Sequence, residues 1–338
     1  MNRRIPVKKE TALMLAVFAI GISVIALMIS FYRNIMEDVD VNTTEMSQVY
    51  QYQYEMIVDS RNIGFWQSVY EIARQEALKN NAVLTLNGTD WGQDYDKEDF
   101  MDMSIAEQAD GIILEYNGEE NLEEKINEAV EKGIPVVTVV NDAPRSLRQS
   151  FVGINDYQLG QAYGEQVANL IDENTKRILV LLNRAQELEQ NQLYEQLNRA
   201  VSSRVKEGQK VKIQAQNLMS RIQFDAEEVI RNIFQSKEGP PEILVCLDEV
   251  MTECAYQAMI DYNMVDQVNI VGYYTSKSIV DAVGKGLIPV TFCMDTEQIG
   301  TYCIEALTEF QKVGHANSYY TVDLNIITKD NWKQWQER

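Results

Sequence analysis

Two short polar groups between residues 110 and 144 carry side chains that could bind a ligand. Residues 115–118 read EYNG and residues 141–144 read NDAP, and each group directly follows a hydrophobic stretch. Carboxylate oxygens accept hydrogen bonds, and side-chain amides both accept and donate them. The chemistry indicated by these groups is therefore hydrogen bonding to a polar ligand, provided that the fold brings the two groups together.

The elements around these groups predict that it does. Residues 112–114 form an apolar run, residues 122–130 carry apolar side chains at helical spacing, and Gly133 ends that helix. A second apolar strand follows at 135–140. A strand, a helix and a strand in this order form a parallel pair, and parallel sheets bind ligands outside the carboxyl ends of their strands. Both polar groups lie at such ends.

The same alternation continues through most of the chain. A first strand is predicted over residues 50–58, and a helix with apolar residues 69, 72, 73 and 77 follows it. Later strands are predicted at residues 83–86, 178–182, 211–213, 243–246, 269–271 and 290–293. Strands and amphipathic stretches that alternate in this way indicate an α/β fold with doubly wound parallel sheets.

Several kinds of chemistry find no support in the residues. The chain has one histidine, His315, and its four cysteines form no CxxC pair, which argues against metal sites and histidine-dependent nucleophiles. The cysteines are expected to be small buried hydrophobes, with one disulfide left open. No GxGxxG motif follows a strand, and the segment from Gly272 lacks the second glycine of a phosphate loop. We expect no catalytic residue, no metal and no cofactor.

The charge balance excludes one class of partner. The formal net charge is −21, and no basic patch occurs after residue 33. Nucleic acid phosphates would be repelled by such a surface. We therefore expect no nucleic acid partner.

The N-terminal segment predicts a membrane anchor. Residues 11–32 contain no charged side chain, and as a helix they would extend about 33 Å, enough to cross a bilayer. Basic residues precede the stretch and acidic residues follow it, so residues 1–10 are predicted to be cytoplasmic and the domain after the stalk at 33–53 to be extracellular. An uncleaved signal anchor in the cell membrane is favoured, and cleavage with release is the alternative.

Eight pieces of the sequence together resemble the type I periplasmic binding protein family, which includes sugar receptors and the effector domains of lactose-repressor-like regulators. The pieces occur in family order, at residues 62–69 (NIGFWQSV), 109–114 (ADGIIL), 132–144 (KGIPVVTVVNDAP), 151–165 (FVGINDYQLGQAYGE), 245–250 (VCLDEV), 271–274 (VGYY), 282–288 (AVGKGLI) and 295–300 (DTEQIG).

The resemblance implies two doubly wound parallel-sheet lobes that are joined by three crossovers and clamp a ligand between them. Carried onto this chain, it places residues 54–153 and 295–318 in lobe 1. Residues 154–294 and 319–330 then form lobe 2.

The resemblance also indicates where a ligand would bind. Sugar receptors stack aromatic side chains on the apolar faces of a sugar and surround its hydroxyls with polar groups. The aromatic positions fall at Phe65 and Trp66, with Asn62 beside them and Trp91 on the same rim. The alternative is that Phe65 and Trp66 only pack the first helix onto the sheet.

Several polar positions of the family are occupied by apolar residues in this chain. The hydroxyl-binding aspartate falls at Val140, and other family polar positions fall at Leu193, Leu247, Tyr274 and Met294. The remaining polar candidates are Asn62, Asn141, Asp142, Asn191, Asp248 and Asp295, with Tyr274 as a further stacking residue. Each unpaired polar group would cost about 1 to 3 kcal/mol, so we expect a less polar or larger ligand than a simple sugar, or none.

Three functions remain open at this point. The first is a membrane-anchored receptor that binds a small, carbohydrate-like ligand and signals to a sensor histidine kinase, because the anchor keeps the lobes beside a fixed partner. The second is the receptor of an ABC sugar importer, which would contact the transporter's membrane subunits. The third is a ligand-independent extracellular interaction module, which the depleted polar positions favour.

Overall fold

Apolar and amphipathic stretches alternate along the chain as strands and helices. The computed structural model describes residues 50–60, 63–88, 95–182, 187–206, 209–217 and 223–336, and those from Tyr50 onward belong to one compact unit. Its strands are β1 (Tyr52–Val58), β2 (Ala82–Gly88), β3 (Gly111–Tyr116), β4 (Val136–Val140), β5 (Ser150–Gly153), β6 (Arg177–Leu182), β7 (Lys212–Asn217), β8 (Ile243–Cys246), β9 (Asn269–Tyr273), β10 (Val290–Met294), β11 (Tyr319–Thr321) and β12 (Leu324–Thr328). Its α-helices are α1 (Gly64–Lys79), α2 (Lys97–Ala106), α3 (Glu120–Glu131), α4 (Asp156–Leu170), α5 (Glu187–Arg204), α6 (Gln223–Phe234), α7 (Glu249–Asp261), α8 (Lys277–Lys285) and α9 (Thr296–Val313), and a 3₁₀ turn covers Trp332–Trp335.

The strands form two six-stranded sheets, one in each lobe. The lobe 1 sheet has the order β11-β5-β4-β3-β1-β2, with all neighbours parallel. The lobe 2 sheet has the order β12-β10-β9-β8-β6-β7 and is parallel except for the pair of β10 with β12. The predicted fold class, with two doubly wound parallel-sheet lobes, is confirmed for the described residues.

Helices bury both faces of the lobe 1 sheet. Along β1, Tyr54, Met56 and Val58 pack into one apolar cluster with α1 and α9, while Ile57 packs into another cluster with α2 and α3. Each fully buried aliphatic side chain contributes roughly 1.5 to 3 kcal/mol relative to an exposed one. Burial on both faces explains why these strands are continuous hydrophobic runs.

Three chain segments cross between the lobes, and two backbone hydrogen bonds join these segments to one another. The crossings lie between β5 and α4, between β10 and α9, and between β11 and β12. Val322 N donates to Gly153 O at 3.1 Å, and Asp295 N donates to Asp323 O at 2.9 Å. The Asp323 carboxylate also accepts a 2.8 Å bond from Gln298 Nε2. The three predicted crossovers therefore form one hydrogen-bonded hinge.

Two predicted boundaries need correction. β11 pairs with β5, so residues 319–321 lie in lobe 1, and the last crossover comes after Thr321 rather than after residue 318. β1 begins at Tyr52, so the last two residues assigned to the stalk belong to the sheet. The first correction rests on pairing between segments far apart in the sequence, which a local pattern does not indicate. The second agrees with the strand predicted over residues 50–58.

The predicted membrane anchor at residues 11–32, the cytoplasmic tail and most of the stalk lie outside the described residues. Within the described part of the chain, no helix is both long and apolar enough to span a bilayer.

Candidate functional site

A cavity of about 140 Å³ lies where the carboxyl ends of the two sheets meet. Lobe 1 contributes residues that follow β1, β3 and β4, and lobe 2 contributes residues at the ends of β6, β8, β9 and β10. This is the edge at which parallel sheets bind ligands. An engineered protein cavity of roughly 150 Å³ holds one benzene ring, so the size suits a ligand with a single six-membered ring.

The lobe 1 wall is a network of polar side chains. The Glu115 carboxylate accepts from Asp59 N at 2.7 Å and from Asn117 Nδ2 at 3.1 Å. Asn117 Nδ2 also lies 3.1 Å from Asp59 Oδ2, and Asn141 Nδ2 donates to Asn117 Oδ1 at 3.1 Å. Four side chains from the ends of three strands are thus held in fixed positions at the cavity.

A buried lysine supports this network from behind. The Lys97 side chain is 4% exposed, and its Nζ lies 3.0 Å from Asp59 Oδ1 and 2.7 Å from Glu119 Oε1. It also donates to the backbone oxygen of Glu115 at 3.0 Å. The Lys97 ammonium group therefore forms ion pairs with two carboxylates. Burial raises the pKa of Glu115 to about 7, the Asp59 charge adds to the rise, and the Lys97 charge opposes it.

The lobe 2 wall is mainly apolar. It includes Leu159, Tyr163, Leu182, Leu193, Ala226, Leu247, Tyr273 and Met294. Two carboxylates lie at its edge, those of Asp248, the N-cap residue of α7, and Glu249 in the first turn of that helix. Asp248 accepts from Met251 N at 2.7 Å and so caps that helix.

The aromatic residues at the start of α1 lie between the lobes. Phe65 and Trp66 are 4% and 3% exposed and line the cavity. Their ring centroids are 4.9 Å apart in a nearly perpendicular arrangement. Phe65 also contacts Tyr273 and Tyr274 of lobe 2, with centroid distances of 5.9 and 5.6 Å. Phe65 therefore packs across the interface as well as against its own lobe.

Two hydrogen bonds join the lobes beside the cavity. Glu249 accepts from Phe65 N at 3.2 Å and so caps α1, whose own N-cap residue Ile63 makes no side-chain bond. The Tyr274 hydroxyl lies 2.9 Å from Ser68 Oγ. A Cβ at Gly64 would stand 3.2 Å from both Glu249 and Tyr274. Burial raises the pKa of Glu249 to about 7. The lobes are in direct contact at this point.

Strained backbone occurs at the cleft in both lobes. Val140, the last residue of β4, has φ of 72°, and Tyr274, which follows β9, has φ of 78°. A β-branched or bulky side chain rarely adopts positive φ, and such strain costs of order 1 to 3 kcal/mol. The surrounding sheets hold both residues in conformations that place them at the cleft.

The structure brings together four of the predicted ligand-binding residues. Phe65, Trp66, Asn141 and Asp248 all line the cavity. Asn62 and Trp91 lie outside the described residues, as does the side chain of Asn191.

Three other predicted residues do not line the cavity. Asp142 is paired with Arg148 and does not line the cavity. Tyr274 lies next to the cavity, where its hydroxyl is hydrogen-bonded to Ser68 and its ring packs against Phe65. Asp295 lies in the hinge, where its carboxylate accepts from Glu297 N and Gln298 N and caps α9.

Four polar lining residues are absent from the individual candidates that the family resemblance indicated. Glu115 and Asn117 lie in the group at residues 115–118 that the strand pattern placed at the ligand edge, so that signal was available. Asp59 directly follows β1, and the same rule would have found it. Glu249 contacts the opposite lobe 184 residues away in sequence, and no local pattern indicates such a contact.

The arrangement supports binding through hydrogen-bond acceptors and apolar contact. The described lining residues include four carboxylates and neither lysine nor arginine nor histidine. The described residues contain no group of three or more histidine, cysteine or acidic side chains that could hold a metal ion. All four cysteines are buried and free. A ligand that donates hydrogen bonds and carries no negative charge fits this wall best.

Comparison with known protein families agrees with the two-lobed fold. A family model described as a periplasmic binding protein domain matches residues 54–314. No curated protein sequence matches the chain.

Solved structures with similar folds are found at low sequence identity. One is an XylFII-LytSN complex, at 22% identity and a TM-score of 0.71, covering 83% of this chain and 98% of the other. A second is GanP, a glucose-galactose binding protein from Geobacillus stearothermophilus, at 18% identity and 0.73, covering 83% and 98%. A third is a Caulobacter myo-inositol binding protein bound to myo-inositol, at 16% and 0.72, covering 86% and 97%. At these sequence identities the similarity is evidence for a shared fold only.

Proposed function

We propose that this chain, which belongs to the periplasmic binding protein family, is a membrane-anchored extracellular receptor whose lobes close on a small, sugar-like ligand. The family consists of binding proteins rather than enzymes. The observation that carries the proposal is the cavity of about 140 Å³ at the junction of two hinged lobes, with an acceptor-rich wall on one side and aromatic rings at its edge. Two of the structures with this fold are described as binding glucose-galactose or myo-inositol, which supports a ligand of this class.

The proposed location follows from the N-terminal sequence. Residues 11–32 have the length and composition of a membrane-spanning helix, with basic residues before it and acidic residues after it. An anchored receptor stays beside partners in the same membrane, which raises their effective concentration. Protease treatment of intact cells tests this placement, because an extracellular domain would be degraded while a cytoplasmic one would be protected.

The proposed partner is the exterior part of a sensor histidine kinase, with the membrane subunits of an ABC importer as the alternative. Support comes from XylFII, a protein of similar fold that is found in a complex with a second protein, LytSN. Cross-linking of the full chain in native membranes, followed by identification of the attached protein, distinguishes the two partners. A permease subunit as the main product would favour the importer.

Ligand binding is tested with the full chain in detergent and a panel of monosaccharides and polyols. A ligand at 100 times its Kd stabilises the folded state by about 2.7 kcal/mol, which would raise the Tm by about 5 °C for a domain of this size. The variant Asn141→Leu should lose the response, since its amide belongs to the lobe 1 wall. The matched variant Asn121→Leu, at an exposed position on α3, should keep it.

One observation favours a second candidate, the ligand-independent interaction module. The lobes already contact each other through Glu249, Ser68 and Tyr274. If no compound of the panel changes the Tm, and if the lobes stay closed in solution without any ligand, the receptor proposal fails and the module becomes the better account.

A further inference from the structure

The two walls of the cavity differ in what they offer a ligand. On the lobe 1 side, Asp59, Glu115, Asn117 and Asn141 present hydrogen-bonding groups. On the lobe 2 side, Leu182, Leu193, Leu247 and Met294 present hydrocarbon. A ligand that fills the cavity therefore meets polar atoms along one edge and apolar atoms along the other.

The polar groups at the edge of the lobe 2 wall already have partners. Asp248 accepts from Met251 N at 2.7 Å, and Glu249 accepts from Phe65 N at 3.2 Å. The Tyr163 hydroxyl donates to Gly272 O at 3.4 Å. These contacts belong to the protein itself and compensate the groups for leaving water.

Tyr273 contributes to this wall through its ring. The residue lines the cavity, but its hydroxyl oxygen is buried and is not open to a molecule in the cavity. This part of the lobe 2 wall therefore offers a ligand apolar contact only.

We propose that the ligand is a one-ring molecule without negative charge that has hydroxyl groups along one edge and hydrocarbon along the opposite edge, as in a 6-deoxyhexose. The inference rests on the proposed receptor function and narrows it. Hydroxyls fit because each can donate to the lobe 1 acceptors. A carboxylate or phosphate would be repelled by the acidic wall.

The hydrocarbon edge separates deoxy sugars from their parents. A 6-deoxyhexose has a methyl group where the parent hexose has a hydroxymethyl group. Against the apolar wall of lobe 2 the methyl group gains contact, whereas the hydroxyl of the parent would be buried without a partner. An apolar pocket rejects an added hydroxyl by up to about a hundredfold, so we expect the deoxy sugar of a matched pair to bind at least tenfold more tightly.

The test is titration calorimetry of the full chain in detergent with matched pairs: L-rhamnose and L-mannose, L-fucose and L-galactose, and 6-deoxy-D-glucose and D-glucose. A uronic acid completes the set. The expected result is at least a tenfold lower Kd for the deoxy member of one pair, with weaker binding of the uronic acid. Equal or tighter binding of the parent hexose, or preferential binding of the uronic acid, overturns the inference.

Two variants connect the result to the wall. Leu247→Asn should shift preference toward the parent hexose, and Leu247→Met should leave the preference unchanged.

The outcomes separate this inference from the proposed function. If parent hexoses bind better than deoxy sugars, the inference fails and the receptor function stands. If neither these pairs nor any compound of the wider panel binds, the receptor function fails and the inference fails with it. A panel compound that binds while lacking a hydrocarbon edge also contradicts the inference.

Discussion

Removing the hydroxyl of Tyr274 should open the cleft without altering the cavity. Ser68 Oγ donates to Gly64 O at 2.9 Å, so in the bond between lobes the Tyr274 O–H is the donor. Tyr274→Phe deletes this bond and keeps the ring against Phe65. A neutral hydrogen bond contributes a net of about 1 kcal/mol. The ratio of closed to open molecules should therefore fall about fivefold at 25 °C.

The equilibrium can be followed by the distance between labels on introduced cysteines at Glu124 in lobe 1 and Glu228 in lobe 2. The native cysteines should not react, since burial raises the pKa of the Cys254 and Cys293 thiols to about 12.

Ser68→Ala should have the same effect as Tyr274→Phe, and the double variant should add nothing to either single change. An unchanged closed fraction in the Tyr274 variant, or a double variant with twice the loss, would refute the reasoning.

Three further predictions concern stability. Burial raises the pKa values of Glu115 and Glu249 to about 7. The stability that their protonated forms give the folded state is therefore fully present below about pH 4.5 and is lost as the pH rises through 7. In scanning calorimetry the Tm should rise on acidification through this range, and it should rise less in Glu115→Gln and Glu249→Gln. Lys97→Met should lower the free energy of unfolding in urea by about 3 to 5 kcal/mol, because it leaves buried carboxylates uncompensated. Lys125→Met, at a more exposed ion pair, should lower it by less than about 1 kcal/mol. Similar losses in the two variants would contradict the role of Lys97 as the cation that compensates these carboxylates. Gly160→Ala should destabilise by about 1 to 3 kcal/mol, since its Cβ would stand 2.6 Å from a backbone oxygen of α5, and an unchanged urea midpoint would show that the helices can separate freely.

The alternation of apolar runs and helical spacing was sufficient to predict nine of the twelve described strands, whereas β5, β11 and β12 were not predicted. The pattern between residues 110 and 144 corresponds to β3, α3 and β4, because strands that are buried on both faces have to be apolar throughout. The same topology placed Asn117 and Asn141 at the ligand edge, where they are hydrogen-bonded to each other. Local periodicity carries this information, since each element has to bury one side or both.

Contacts between distant segments could not be predicted in the same way. Glu249 caps α1 from the other lobe, and Lys97 compensates carboxylates that follow two different strands. Such partners depend on how closely packed elements approach each other, which no spacing in the sequence records. Asp295 shows the opposite error, because an aspartate before a helix has the same local pattern whether it caps the helix or contacts a ligand.

The hinge restricts the kinds of movement that are open to the two lobes. Its three crossover segments are hydrogen-bonded to one another through Gly153, Val322, Asp295 and Asp323, so sliding of one lobe past the other would break these bonds. Rotation about an axis along the crossover segments leaves the bonds intact. Surfaces far from that axis then travel further than the walls of the cleft. A neighbouring protein that touches both lobes at their outer ends would therefore experience a change in spacing, and could respond to occupancy without any contact with the bound molecule.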